Sequence, residues 1–254
     1  MRIADLASAM LDLIYPPRCP GCGALTPTGL CPVCVAGVTP VGPGLCQKCG
    51  DPSPLGGSPR LGLCDVCAAG RGFDGVRAAF VYEGPLRAAV HSLKFSRRRD
   101  LGAVLGGLLA EAVTEAMNRN EPGGIGDMPL ESVDLVAPVP LHPTRERRRG
   151  FNHAALLAEP VAATLGASLD TRLLKRTRPT LPQPGLSPTE RMKNVRGAFA
   201  AVPADDAVRG GCVLLVDDLV TTGSTMSECS KALRKHGVVE VWGLALARPV
   251  RGED

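Results

Sequence analysis

Aromatic side chains are scarce in this sequence of 254 residues. They make up only 3% of it, with one Trp, two Tyr and five Phe. Proteins that bind single-stranded nucleic acid usually stack bases on aromatic rings, so this scarcity argues against a dedicated single-strand binder. Apolar residues nevertheless reach 44%, which predicts a sizeable core built mainly from Leu, Val and Ala.

Long apolar runs and a large net charge are missing as well. No run of about 18 apolar residues occurs, so no membrane-spanning helix is expected. Residues 1–14 carry Asp5 and Asp12 among apolar positions and are followed by no small-residue cleavage site, which predicts an amphipathic helix instead of a signal peptide and a cytoplasmic location. The formal net charge of +4 does not by itself mark a nucleic-acid-binding protein.

Cysteine, in contrast, is abundant and regularly spaced. Ten are present, and eight of them form four Cys-x-x-Cys pairs. Each pair presents two thiolates to one ion and two pairs complete a tetrahedral site, so the sequence predicts two structural zinc ions. We prefer pairing of sequence neighbours, while interleaved pairing stays open. The preferred sites are Cys19, Cys22, Cys31 and Cys34, and then Cys46, Cys49, Cys64 and Cys67.

Residues 16–70, which contain these pairs, are rich in Gly and Pro and poor in periodic apolar patterns. Such a segment has little core of its own, so metal is expected to hold it together. The alternative is a disulfide framework, which suits exported proteins better. Sites with four thiolate ligands leave no open coordination position, which favours a structural role. Cys212 and Cys229 stand apart and are expected to pack in the core.

Residues 213–225 are the most informative stretch. Their apolar beginning, residues 213–216, predicts a central parallel strand buried on both faces. Asp217 and Asp218 follow at its carboxyl end, where open α/β sheets bind their ligands. Hydroxyls, a Gly and the N–H groups of a helix start then suit a phosphate, at Thr221, Thr222, Gly223, Ser224 and Thr225.

Carboxylates repel phosphate, so the acidic pair is expected to accept hydrogen bonds from the hydroxyls of an adjoining sugar. Strand, acidic pair and loop together therefore predict a ribose-phosphate ligand. The alternative is a strand followed by a capped helix, but capping accounts for only one of the hydroxyls.

Strand-like and helix-like patterns alternate along the rest of the chain, which predicts parallel βαβ units. Strands are predicted at residues 76–82, 133–139, 168–174, 197–202 and 238–247, and helices at 86–95, 101–116, 153–165 and 223–235.

Two basic segments accompany this pattern. Residues 145–149 are predicted to form a loop past a strand end, where guanidinium groups could bind a pyrophosphate; the alternative is a solvated basic loop. Residues 175–197 contain several prolines and cations and are predicted to form a lid, the alternative being a disordered loop.

Residues 213–225 resemble the signature of type I phosphoribosyltransferases, which bind phosphoribosyl pyrophosphate (PRPP). In that family the acidic pair touches the ribose 2′- and 3′-hydroxyls, and the loop wraps the 5′-phosphate. The resemblance implies the first role for Asp217 and Asp218 and the second for residues 221–225.

Further motifs resemble the ComF family over essentially the whole chain, in order. They are Tyr15-Pro16-Pro17-Arg18-Cys19, the four Cys-x-x-Cys pairs, Leu93-Lys94-Phe95, Val139-Pro140-Leu141, Arg149-Gly150-Phe151-Asn152, Gln183, Arg191 with Asn194-Val195, and Gly197-Ala198-Phe199. The resemblance implies an α/β fold: a type I phosphoribosyltransferase-like parallel sheet with helices on both faces, preceded by a small zinc-ribbon region. Residues 1–72 would form the N-terminal helix and double zinc ribbon. Residues 73–254 would form the phosphoribosyltransferase-like domain, with a hood at 75–130 and a core at 131–250.

Two hypotheses for function follow. As an enzyme, the protein would bind PRPP with Mg²⁺ through Asp217 and Asp218, and Arg149 and Arg191 would stabilise the departing pyrophosphate. As a binding module, it would act in competence, where the resemblance implies handling of single-stranded DNA and a DNA-uptake helicase as partner. Cations that could follow a phosphate backbone are Arg97, Arg98, Arg99, Arg147, Arg148, Lys175 and Arg178.

Overall fold

The computed structural model of the protein describes residues 17–42, 46–51, 62–96, 98–119, 124–181, 185–202 and 209–249. The helix predicted at residues 1–14 lies outside these residues, as do Gln183 and Arg97. Within the described ranges, none of the helices combines the length and hydropathy needed to cross a membrane.

The described residues form seven strands and eight α-helices. The strands are β1 (Gly75–Val81), β2 (Leu135–Pro138), β3 (Ser168–Leu169), β4 (Leu174–Arg176), β5 (Phe199–Ala201), β6 (Cys212–Leu219) and β7 (Glu240–Arg248). The helices are α1 (Pro32–Ala36), α2 (Asp65–Ala68), α3 (Gly84–Phe95), α4 (Asp100–Arg119), α5 (Pro143–Arg149), α6 (His153–Leu165), α7 (Pro188–Val195) and α8 (Ser224–Arg234). Two short 3₁₀ turns, Gly124–Asp127 and Leu130–Ser132, lead into β2.

Five strands form one parallel sheet in the order β1-β7-β6-β2-β3. The central strand β6 is buried on both faces because its side chains alternate between two cores. Leu214 and Val216 share one core with α3, α4 and α6, and Val213 and Leu215 share the other with α8. The prediction of a parallel sheet with helices on both faces is confirmed.

Three local predictions are wrong. Residues 143–149 form helix α5 instead of a loop, since Pro143 occupies its first turn and Gly150 ends it at a φ of 88°. The strand expected at 168–174 contributes only Ser168–Leu169 to the sheet, while β4 pairs antiparallel with β5 apart from it. Residues 175–197 include a packed helix, α7, whose Val195 is fully buried.

The eight paired cysteines lie in two clusters, grouped as sequence neighbours. Within each cluster the four sulfur atoms lie within 4.8 Å of one another, and neighbouring pairs such as Cys22–Cys31 and Cys49–Cys64 are 3.6 and 3.7 Å apart. Thiolates bound tetrahedrally about 2.3 Å from a zinc ion would lie about 3.8 Å from each other. The sulfur arrangement therefore fits structural zinc in both clusters.

The two clusters pack against opposite cores. Cys19, Cys31 and Cys34 join the core of α3 and α4, whereas the second cluster joins the core of α8. Between them, residues 39–41 run along the outer edge of β1, where Val41 N–H donates to Ala79 and Thr39 C=O accepts from Val81, at 2.9 and 2.8 Å.

Two buried arginines attach the second cluster to the sheet. Arg77 in β1 is 5% exposed and donates to the carbonyl of Gln47 at 2.8 Å. Arg248 in β7 is 2% exposed and donates to the carbonyl of Cys49 at 2.8 Å. Buried guanidinium groups need such acceptors, so the ribbon and the sheet stabilise each other.

We predict two zinc ions per purified chain and one per chain after the double substitution Cys46→Ser/Cys49→Ser. Structural zinc contributes on the order of 10–16 kcal/mol in isolated fingers, so this variant should also lose ordered structure around β1 and β7. Elemental analysis and amide hydrogen exchange measure the two effects. Cys212→Ala, which alters a buried cysteine outside the clusters, is the control and should retain both ions. Unchanged metal content in the double variant would contradict the ligand assignment.

Candidate functional site

A concave surface forms where β6 passes into α8. It is lined by Asp217 and by residues 219–226. Gly223 adopts a left-handed conformation with a φ of 67°, and a Cβ built there would lie only 3.1 Å from the ring of Phe73. Gly is thus required both by the backbone and by the close neighbour. The hydroxyls of Thr222 and Ser224 bond to each other at 2.7 Å. Hydroxyls and helix N–H groups together suit an anion.

The segment between the second cysteine cluster and β1 supports this 221–225 loop. Phe73 is buried and packs beneath Gly223. The N–H of Gly72 donates to the hydroxyl of Ser227 at 3.0 Å, and Arg234 donates to the carbonyl of Gly72 at 2.8 Å. The ribbon is therefore joined directly to helix α8, whose first residues, Ser224 and Thr225, complete the loop.

Asp218 follows Asp217 at the end of β6 and is only 4% exposed. Its Oδ1 is 3.2 Å from His153 Nε2, and its Oδ2 forms an ion pair with Lys94 Nζ. Burial alone would raise the pKa of Asp218, but the charge of Lys94 and the hydrogen bond from His153 hold the pKa well below its usual range. Asp218 is therefore an ionised carboxylate.

Asp217 behaves differently although it is the next residue. It is partly exposed to the pocket, and its Oδ1 accepts from the N–H of Asp218 at 2.8 Å. Burial and the adjacent charge of Asp218 raise the pKa of Asp217 well above the ordinary value. A raised pKa lowers the tendency of Asp217 to carry a charge, which reduces the repulsion between the acidic pair and a nearby phosphate.

Arg149 joins the site through His153. Its Nη1 lies 2.6 Å from His153 Nδ1, and its guanidinium lies 5.9 Å from the ring centre of Phe95, a residue that is 60% exposed. Asn152 fixes the start of α6 by accepting from Ala154 N–H at 3.1 Å. Four side chains from α3, β6, α6 and α5 thus form a continuous chain of polar contacts: Lys94, Asp218, His153 and Arg149.

A second pair of cations lies on the Asp217 side. Arg145 donates to the carbonyl of Thr180 at 2.6 Å, and Arg176 contacts the hydroxyl of the same residue. Burial and the charge of Arg145 lower the pKa of Arg176, whereas the charge of Asp217 raises it. The Nε of Arg176 is buried and has no hydrogen-bond partner among the residues that the structure describes, so this guanidinium retains capacity to donate.

Arg191 is not brought to the acidic pair. It lies on α7, and among the described residues it makes neither a hydrogen bond nor an ion pair with Asp217 or Asp218. Helix α7 begins with a capping box between Ser187 and Glu190, and Gly197 N–H just beyond it donates to Glu228 on α8 at 2.7 Å. The segment predicted to form a lid therefore contains a helix that packs against α8.

Two of the cations expected to follow a phosphate backbone already have acceptors. Arg98 forms a bidentate pair with Asp100, with its shortest contact at 2.6 Å. Arg178 donates to the carbonyls of Asn194 and Arg196 at 3.0 and 2.9 Å. Arg147 and Lys175, in contrast, are exposed.

Sequence reasoning assigned no role to Lys94, His153 or Arg176. Lys94 stood in the Leu93-Lys94-Phe95 motif, and His153 followed the Arg149-to-Asn152 motif, so both were adjacent to a usable signal. The contacts of Lys94 and His153 with Asp218 join positions that are far apart in the sequence, 65 residues for His153. No local pattern reveals such contacts.

Comparisons with known proteins agree with this architecture. Residues 10–69 match the family model described as the double zinc ribbon domain. The DNA utilization protein YhgH of Salmonella typhi is 36% identical over 223 residues, covering 87% of this chain and 92% of that protein. YhgH of Escherichia coli K12 is 34% identical, covering 80% and 96%. Competence protein F of Haemophilus influenzae is 36% identical, covering 65% and 70%.

Among solved structures, the glutamine PRPP amidotransferase of B. subtilis, complexed with ADP and GMP, aligns with a TM-score of 0.38 and 20% identity. The alignment covers 61% of this chain, which spans 30% of that enzyme's length. Three findings indicate the same family: the relatives that align along nearly their whole length, the double zinc ribbon, and the order of the motifs in the sequence. The chain belongs to the ComF family.

Proposed function

We propose that the protein binds PRPP in the pocket at the end of β6 and transfers its phosphoribosyl group to an acceptor. The observation that carries the proposal is the buried ion pair of Lys94 and Asp218, which adjoins Asp217 in the lining of the pocket. Burying ions is costly, so a strand end with only a structural role would not need a buried charge that side chains from two separate helices compensate. Perturbed carboxylates in a cleft are instead typical of functional sites.

In this proposal the 5′-phosphate occupies the 221–225 loop. The N-terminal N–H groups of α8 and the hydroxyls of Thr222 and Ser224 donate to it. Asp217 faces the pocket and takes the ribose hydroxyls. Both oxygens of Asp218 already have partners, so its role is to fix Lys94 and His153 beside the sugar.

The departing pyrophosphate gains negative charge as the bond to ribose breaks, so fixed cations lower the barrier. Arg149 on one side of the acidic pair, and Arg145 and Arg176 on the other, supply this charge. Mg²⁺ would arrive on the phosphates of PRPP and add to their neutralisation. His153, Asp217 and Asp218 have potential ligand atoms within 4.8 Å of one another. Because Lys94 already compensates the charge of Asp218, these residues do not themselves suit a resident metal.

The names of the relatives support a role in DNA uptake or DNA metabolism. We propose that the activity serves such a process in the cytoplasm, with single-stranded DNA or a DNA-uptake helicase as macromolecular partner. The exposed Arg147 lies on α5, the helix that also carries Arg145 and Arg149, and it is the cation most suited to such contact. Oligonucleotide titration at several salt concentrations tests this, because binding through phosphates weakens steeply with salt.

Binding of Mg–PRPP should depend on the pocket hydroxyls and on Asp217. We expect Asp217→Ala and Thr222→Ala/Ser224→Ala each to weaken binding by about 1–3 kcal/mol, roughly 5- to 150-fold, because each removes hydrogen bonds to the ligand. Isothermal titration calorimetry measures the loss. Thr114→Ala and Glu111→Ala, on the exposed face of α4, are the matched controls and should bind as the natural chain does. Equal affinity in all variants, or no binding by the natural chain, would refute the proposed function.

The charge of Asp218 should depend on Lys94. We expect Lys94→Met to lower the free energy of unfolding at pH 7 by about 3–5 kcal/mol, because it leaves a buried carboxylate without its cation. The pKa of Asp218 is held low in the folded protein, so its stabilising contribution is present above the unfolded pKa and is lost as pH falls through the folded pKa. The deficit of Lys94→Met should accordingly shrink in acid.

Urea denaturation at pH 7 and at acid pH measures this deficit. Lys193→Met, which removes an exposed lysine of α7, is the control. The double variant Lys94→Met/Asp218→Asn should be more stable than Lys94→Met alone, since the uncompensated charge is then gone. If the two substitutions change the free energy of unfolding additively, Lys94 and Asp218 are not coupled and the prediction is wrong.

A further inference from the structure

We infer that His153 is a positioning residue: its neutral imidazole holds Arg149 in place toward the pyrophosphate side of the pocket, and protonation of the ring releases Arg149. The inference rests on the proposed function in one respect, namely that Arg149 is a group that binds pyrophosphate. The hydrogen bonds that fix the arrangement are independent of any ligand.

The direction of these hydrogen bonds follows from the partners. Asp218 is ionised and can only accept, so His153 Nε2 must carry the hydrogen of the 3.2 Å contact. Arg149 can only donate, so His153 Nδ1 must accept at the 2.6 Å contact. One state of the ring satisfies both neighbours, which is the neutral tautomer with hydrogen on Nε2.

Protonation removes the only acceptor that His153 offers to Arg149. Nδ1–H would then point at an N–H of the guanidinium across 2.6 Å, and both groups would be positively charged. Arg149 would have to turn away, whereas the contact between Nε2–H and Asp218 could remain. The ring therefore has two states that differ in where Arg149 can lie.

The surroundings of the ring favour the neutral state. His153 is 5% exposed, and burial lowers its pKa below the ordinary value, against the opposing effect of Asp218. The charged groups that face it are Asp217 and Asp218 from β6, Lys94 from α3 and Arg149 from α5. The other elements packed against α6 are α4 and β2, which contribute apolar side chains, and β3, which consists of the exposed Ser168 and Leu169.

Arg149 has few other restraints. It lies in the last turn of α5, where Gly150 ends the helix, and the exposed ring of Phe95 flanks its guanidinium at 5.9 Å. Burial lowers the pKa of Arg149, but guanidinium groups remain protonated throughout the physiological range. Its orientation, and not its charge, is thus what His153 controls.

The first test needs no ligand. The zinc-loaded full chain is labelled with ¹³C and ¹⁵N at histidine, and the His153 signal is assigned by its loss in His153→Gln. We expect the Nε2–H tautomer at pH 7.5 and a rise of the His153 pKa in Arg149→Met, because the cation and its hydrogen bond are gone. Arg147→Met, an exposed arginine of the same helix, should leave the His153 pKa unchanged. The Nδ1–H tautomer, a charged ring at pH 7.5, a ring that never titrates in the folded protein, or no effect of Arg149→Met would each overturn the inference.

The second test measures the consequence for binding. Calorimetry with Mg–PRPP is run at pH 8 and at one pH unit below the His153 pKa found by NMR, with circular dichroism confirming the fold at both. Gln keeps one donor and one acceptor but does not titrate, so His153→Gln should bind within about threefold of the natural chain at pH 8, whereas His153→Ala should lose roughly tenfold or more. At the lower pH the natural chain should lose roughly tenfold relative to His153→Gln, since only its ring releases Arg149.

The comparison with His153→Gln removes the effect of protonating the ligand itself. His236→Gln, which alters an exposed histidine beyond α8, is the control and should follow the natural chain at both pH values. Parallel pH profiles for the natural chain and His153→Gln, or unchanged binding by His153→Ala, would overturn the inference. No binding by any chain at either pH would refute the proposed function and with it the pyrophosphate part of this inference, while the NMR result decides the hydrogen bond separately.

Discussion

The carboxylate of Asp218 is buried at the carboxyl end of β6, and its charge has to be compensated inside the protein. Lys94 comes from the last turn of α3 and His153 from the first turn of α6, so one buried charge fixes two helices against the central strand. Moving either partner away would leave an uncompensated charge buried, which is strongly destabilising, so the two helices are held firmly in place. Arg149 is held one step further out, through His153. The geometry of the site therefore follows from a single electrostatic requirement.

The same charge also sets the state of its neighbour. The charge of the ionised Asp218 raises the pKa of Asp217 beside it, which reduces the negative charge that the acidic pair presents to the pocket. The sequence posed a conflict, since two carboxylates next to a phosphate loop would repel the ligand. The structure separates the two acids: Asp218 is buried and its charge is compensated by Lys94, whereas Asp217 lines the pocket.

Much of this could be predicted from the sequence where the signal is local. The apolar run of β6, the acidic pair, the 221–225 loop and the four Cys-x-x-Cys pairs each lie within a few residues, so their patterns were sufficient. Helices α5 and α7 also carry local signals: Pro143 and Gly150 mark the ends of α5, and Ser187 with Glu190 is a capping box. The roles of Lys94 and His153 could not be predicted, because they depend on where α3 and α6 pack against β6. The pairing of β4 with β5 was equally inaccessible, since strand patterns do not specify a partner.

Residues 39–41 connect two metal clusters that sit on opposite cores, and they lie along the outer edge of β1. An uncovered edge strand offers a row of unpaired N–H and C=O groups to another chain, and such edges promote aggregation. Here Thr39 and Val41 occupy those groups, and each end of the short segment leads into a cluster of thiolates. The two cysteine clusters thus anchor both ends of the segment that covers the edge of β1. Loss of zinc, or oxidation of these thiols, would therefore uncover the edge of β1 and make the protein prone to aggregate.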